Sequence, residues 1–308
     1  MEYKCDVPPN VLFLGDSIAE GYGLDGFETD KYSCDSYANI LRDRYATQLK
    51  GKCETTMIND AVSGDTSQQL LDHLNSGEFD ECLAKSDAVV ISIGGNDILE
   101  IFLGFLNDNF VMISDENGTT VDWSNISLLK IGKDLYEMSD KIDVALEKFN
   151  TNIQSISNYI NSKTDGVVVV QTLYNPLDQL NYLQSLENMA EEKIAVLNQY
   201  IKDNASTDTK ENYIVADVAP LFIGKAEELT NISDFDIHPN IEGHRVIADC
   251  VDKTLRTQKY TCFQEIEIEP AKSDDSSATK KMAVIAGMAG ILSITALFIR
   301  KTVQNRKD

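Results

Sequence analysis

Short apolar runs bounded by turn residues alternate along this chain with longer stretches of helical period. Five runs read as strands: 11–14, 55–61, 87–93, 167–173 and 212–218. They are rich in β-branched and other apolar residues and stop at Gly, Asp or Pro, as strands buried on both faces do. Helical patterns fill the intervals. One covers 36–49 and is closed by Gly51; another covers 67–74. The longest runs from about 133 to 162, with Ile142, Leu146, Phe149, Ile153, Ile156 and Ile160 on one face. Two more span 186–204 and 242–257. This alternation predicts one doubly wound α/β domain over residues 1–262, with a mostly parallel five-stranded sheet covered on both faces. Residues 105–132 break the period. Asn107-Asp108-Asn109, Asp115-Glu116-Asn117-Gly118 and Asp122-Trp123 are turn-rich, and the stretch reads as an insertion, a lid over a site or a surface hairpin.

The polar residues that end these runs carry the chemistry. Gly15-Asp16-Ser17 follows Val11-Leu12-Phe13-Leu14, Gly64 lies just past the second run, and Gly94-Gly95-Asn96-Asp97 closes the third. Asp236-Ile237-His238-Pro239-Asn240 precedes the last helical segment. Open α/β sheets place ligands at the carboxyl ends of their strands, and a serine there meets the positive end of any helix that starts behind it. Ester cleavage needs a nucleophile, a base and donors for the oxyanion. A glycine exposes its backbone N–H to close approach, and an asparagine amide offers two N–H groups without charge. Each block alone is ordinary turn chemistry; four in this order are not.

The series resembles the SGNH hydrolases, or GDSL esterases and lipases, over about residues 10–256. That resemblance implies a flavodoxin-like three-layer α/β/α sandwich. It implies Ser17 as nucleophile and His238 as general base, then acid. The oxyanion hole would consist of the N–H groups of Ser17 and Gly64 and the side-chain amide of Asn96. The substrate would be an acyl or acetyl ester of a carbohydrate or lipid, hydrolysed without a metal or organic cofactor. Two other functions fit the same blocks. One is an acyltransferase using the same acyl-enzyme; the other is a surface-anchored carbohydrate-binding protein with a degenerate site.

Only three histidines compete for the role of base. His73, within 68–74, reads as a solvated helix residue, and His244 as a structural residue in the first turn of the last helix. The family places an Asp three residues before its histidine, and here that position is Phe235. Asp236 is the favoured orienting acid, with Asp234 or a backbone carbonyl as the alternatives. Gly21-Tyr22-Gly23-Leu24-Asp25-Gly26 matches the dinucleotide fingerprint by letter, but its glycines neither directly follow a strand nor open a helix. They read as a flexible loop beside the site. Thr172-Leu173-Tyr174-Asn175-Pro176 reads as a pocket wall or a strand-ending turn. No P-loop, His-Glu-x-x-His, paired Cys-x-x-Cys or Gly-x-Ser-x-Gly elbow occurs.

A net charge of −23 argues against nucleic acid or an anionic membrane surface as a partner of the domain. Its carboxyl end is a different physical object. Residues 263–281 form a polar linker, 282–299 are eighteen residues without charge, and 300–308 form a basic tail. At 1.5 Å per residue the apolar stretch spans roughly 27 Å, enough for a single-pass transmembrane helix. Arg300, Lys301, Arg306 and Lys307 favour a cytoplasmic tail, although Lys280 and Lys281 blunt the asymmetry. No apolar export segment precedes the first strand. Six cysteines permit the pairs Cys53–Cys82 and Cys5–Cys262, or remain free thiols. Resemblance to secreted esterases tips the expectation toward an extracytoplasmic domain.

Overall fold

All five expected strands pair in one parallel sheet: β2 (Asn10–Gly15), β3 (Thr56–Asn59), β4 (Ala88–Ser92), β7 (Val167–Gln171) and β8 (Ile214–Ala216). The computed structural model describes residues 2–263 except 110–111, 116–117, 122–127, 179–183, 207–211 and 235. The described residues fall in one unit, Met1–Ile266. The expected membrane helix at 282–299 lies outside them; among the described residues no helix is long and apolar enough to cross a membrane.

Strand alternation builds two cores. Val11, Phe13, Ala88, Val90 and Val169 point to one face of the sheet, where α2 (Tyr37–Leu49) and α10 (Ile241–Leu255) bury Leu41, Tyr45, Ile247 and Val251. Leu12, Leu14, Val89, Ile91, Val168 and Val170 point to the other. There α3 (Ser67–Ser76), α4 (Asp80–Lys85), α6 (Leu128–Lys163) and α7 (Gln184–Asp203) supply Leu70, Leu83, Phe149, Ile153 and Leu197. Strands covered on both faces explain why the runs are continuously apolar. Local chemistry sets the helix starts. Ser36 caps α2 by accepting from Asn39 N–H at 3.3 Å, and Thr66 with Gln69 forms a capping box on α3.

The strand order is β3-β2-β4-β7-β8. The chain therefore steps from β2 outward to β3, then crosses back to β4 on the other side. Such a reversal opens a crevice at the carboxyl ends of the two diverging strands. Ser17 follows β2 and Asn96 follows β4, so the crevice holds both.

Residues 105–132 are more regular than their composition suggests. Helix α5 (Gly95–Asn109) runs into the stretch from one side and α6 enters from the other. Between them β5 (Met112–Asp115) and β6 (Gly118–Val121) form an antiparallel hairpin. Outside the main sheet, β1 (Glu2–Cys5) pairs antiparallel with β9 (Tyr260–Phe263), and the disulfide Cys5–Cys262 joins the two ends of the domain. The other expected pair does not form, and Cys53 and Cys82 are free. Cys53 packs against the core on one face of the sheet and Cys82 against the core on the other. The sheet itself separates them.

Candidate active site

The turn after β2 is shaped by what β4 leaves room for. Gly15 has φ +129° and stands opposite Ser92; a Cβ there would lie 1.8 Å from the Ser92 carbonyl oxygen. Asp16 N–H donates to that same oxygen at 3.0 Å. The Asp16 carboxylate then accepts from Ile18 N–H at 3.1 Å and caps α1 (Ser17–Glu20), a single turn closed by Gly21 in the left-handed conformation. Ser17 thus opens a helix at the end of a central strand.

His238 arrives from the far end of the chain, in the loop between α9 (Ala226–Leu229) and α10. The loop is tied by Asn231 N–H to the His238 carbonyl (3.0 Å) and Asn240 N–H to the Leu229 carbonyl (3.0 Å). Asn240 also caps α10. His238 Nε2 lies 2.9 Å from Ser17 Oγ. Its Nδ1 makes a short hydrogen bond with Asp236 Oδ1, which also accepts from His238 N–H at 3.0 Å. A carboxylate two residues before a backbone N–H forms an Asx turn. Here the oxygen that closes the turn also reaches the ring. A spacing of two residues therefore brings the Asp236 carboxylate to the His238 ring. The side chain of Asp234 lies outside the described residues.

The loop after Ser17 wraps the histidine. The Tyr22 ring lies 4.9 Å from the His238 ring and is braced edge-on by Phe27 at 5.6 Å. A Cβ on Gly23 would sit 3.4 Å from Asp236 Oδ2. This is no loose loop but a chain of turns, with Leu24 N–H on the Gly21 carbonyl (3.3 Å) and Phe27 N–H on that of Leu24 (3.1 Å).

Gly64 and Asn96 stand on the other side. Gly64 has φ +90° with no atom within 4 Å of where a Cβ would be. Asn96 Nδ2 donates to the Asp65 carbonyl at 2.9 Å, so the residue after Gly64 orients the amide. Asp97 ties the same two loops together, accepting from Ser67 N–H (2.8 Å) and Ser67 Oγ (2.5 Å), while Asn152 of α6 donates to Ser67 Oγ (2.9 Å). Asp97 and Ser67 carried no sequence signal beyond their places next to Asn96 and a helix cap. His73 is less free than expected. Its Nδ1 lies 2.9 Å from Glu78 and its Nε2 3.6 Å from Asp65. His244 is fully buried on α10 and accepts from Tyr37 N–H. Burial, with His238 nearby, pushes its pKa down to about 3. Among the described residues no group of three or more His, Cys, Asp or Glu is placed to hold a metal ion.

Burial pushes Asp16 up to about 7 from an ordinary value near 3.8 in the unfolded chain. Between those values the folded state holds a proton that the unfolded state has lost. Stability therefore falls as pH rises through that window, and the penalty is complete above about pH 7. Asp16→Asn keeps an acceptor for Ile18 N–H and removes the charge. Relative to the native chain it should gain stability between about pH 5 and pH 8, by up to a few kcal/mol. Urea unfolding at the two pH values checks this; an unchanged difference would contradict it.

A model of the GDSL-like lipase/acylhydrolase family matches residues 13–246. The chain therefore belongs to that family, the SGNH-type enzymes that hydrolyse ester bonds. It is 21% identical over 250 residues to YpmR, an uncharacterized protein of Bacillus subtilis, covering 80% of this chain and 82% of that one. It superposes on the lipase Lip_vut3 from a goat rumen metagenome with TM-score 0.54 and 20% identity, over 80% of this chain and 96% of that one. For the extracellular lipase of Streptomyces rimosus the values are 0.54 and 16%, over 80% and 99%. For Axe2, an acetylxylan esterase from Geobacillus stearothermophilus, they are 0.51 and 16%, over 80% and 94%. At these identities the structural likeness establishes the fold.

Proposed function

We propose that this chain is a serine esterase in which Ser17 attacks the ester carbonyl and His238 takes its proton. One observation carries the reading: Ser17 Oγ, His238 Nε2 and Nδ1, and Asp236 Oδ1 form a continuous hydrogen-bonded series at the switch point of the sheet. His238 returns the proton to the leaving alcohol, and water then repeats the sequence on the acyl-enzyme. Asp236 fixes the tautomer and steadies the imidazolium. The N–H groups of Ser17 and Gly64 and the second amide N–H of Asn96 receive the oxyanion. A displaced acid would have favoured a protein that binds without turnover. Asp236 on Nδ1 removes that motive.

The substrate is an acyl or acetyl ester of a carbohydrate or lipid. The chain is held at a membrane by residues 282–299 in a single pass, with the domain outside the cytoplasm. The Cys5–Cys262 disulfide supports that side, because such bonds persist in oxidising compartments. One experiment tests both halves. Membranes from cells expressing the full chain are washed in carbonate and treated with a fluorophosphonate probe. Label is expected on the Ser17 peptide in the membrane fraction and absent from Ser17→Ala. No label on the native chain would refute the serine mechanism, and label confined to the soluble fraction would refute the anchor.

A further inference from the structure

The loop that carries His238 is closed on itself. The Thr230–Pro239 bridge and the bonds Asn231 N–H to His238 O, Asp236 N–H to Asn231 O and Asn240 N–H to Leu229 O all begin and end within residues 226–244. So do the side-chain bonds of Thr230, Asp236 and Asn240. Among the described residues two hydrogen bonds join residues 230–240 to the domain outside 226–244. One is the contact of His238 with Ser17. The other is Tyr174 Oη donating to the carbonyl of Ile237, at 2.9 Å, one residue before the histidine.

Tyr174 is itself firmly placed. It lies three residues past β7, where Thr172 N–H still bonds to the Ala216 carbonyl at 3.0 Å. The Asn198 side chain of α7 grips both backbone groups of Leu173, its Oδ1 accepting at 2.7 Å and its Nδ2 donating at 2.8 Å. The Tyr174 ring is 6% exposed and stacks on Phe222 at 4.3 Å with 16° between planes. Burial beside Asp16 and Asp236 holds its hydroxyl well above the usual tyrosine range, so it remains a donor.

We propose that Tyr174 is a positioning residue: it pins the His238 loop to the central sheet and so sets the approach of His238 to Ser17. The proposal rests on the reading of Ser17 and His238 as nucleophile and base. It explains how a loop whose hydrogen bonds are otherwise closed within residues 226–244 delivers an imidazole to a serine that follows β2. The Asx turn at Asp236 orients the ring within the loop, and Tyr174 orients the loop against the sheet. A misplacement of about 1 Å at a reacting pair costs on the order of a hundredfold in rate, so one hydrogen bond at this point has leverage.

The test is Tyr174→Phe, which keeps the ring and its stack and deletes one oxygen. Hydrolysis of p-nitrophenyl acetate is measured for the full chain, with rates scaled to the folded fraction from near-ultraviolet circular dichroism. kcat is expected to fall about ten- to a hundredfold while KM moves by less than about threefold. The same substitution is made in His238→Ala, whose residual turnover rests on the oxyanion donors. There it should cost less than about twofold, because a residue acting through His238 has nothing left to act on. An unchanged kcat in the single variant, or equal losses in both backgrounds, would overturn the proposal. Ser17→Ala separates the two levels. If it is inert while Tyr174→Phe is fully active, only the positioning role fails; if it turns over normally, the underlying serine reading fails.

Discussion

Ser17→Ala should lower kcat/KM for p-nitrophenyl acetate and butyrate by about 10⁴-fold or more, with the protein still folded. The size follows from the roles proposed for the site. Without Oγ there is no acyl-enzyme, and only the oxyanion donors remain to assist water, which for a serine triad leaves a small residue of the full acceleration. The substitution touches little else. Ser17 opens α1, but the cap belongs to Asp16 and the chain is held there by Asp16 N–H on Ser92. His238→Ala should cost a similar factor, and the double variant no more than either alone, because the two residues act as one device. That non-additivity is the sharper measurement. Losses that multiply would mean that Ser17 and His238 serve separate steps, and a fully active Ser17→Ala would end the esterase mechanism outright.

Much of this arrangement was legible in the chain, for identifiable reasons. Strands covered on both faces must be continuously apolar, so β2, β4 and β7 announced themselves and their ends located Ser17 and Asn96. The stripe from Ile142 to Ile160 is one face of α6 and could be read from its period. Contacts made by single turns were invisible. The four-residue helices α1, α8 (Ala219–Phe222) and α9 have no period to detect. The orienting acid stayed open because spacing alone does not say whether residue 236 reaches the ring. An Asx turn decides that, and a turn is a matter of backbone angles. Tyr174 and Ile237 are 63 positions apart, and Ser67 and Asp97 are 30 apart. No local pattern marks such pairs.

Gly15→Ala should abolish stable folding. Two costs fall on one methyl group. At φ +129° an L-residue is strained by itself. The new Cβ would also lie 1.8 Å from the Ser92 carbonyl oxygen and 2.7 Å from its carbon. Those are backbone atoms of the neighbouring central strand, so no side chain can swing aside. Relief requires β2 and β4 to part, which strips the register Val11 to Gly15 against Ala88 to Ser92 and opens both cores at once. A loss above about 4 kcal/mol is expected, beyond the ordinary range of single substitutions. Gly64→Ala makes the contrast. Its φ is +90°, but a Cβ there meets nothing within 4 Å. That variant should fold, at a strain of about 1–2 kcal/mol, and show its effect in turnover. Urea unfolding of both variants separates the cases. A Gly15→Ala chain with a native midpoint would mean that the two strands are not held as closely as their pairing requires, and that Ser17 owes its place to something other than this turn.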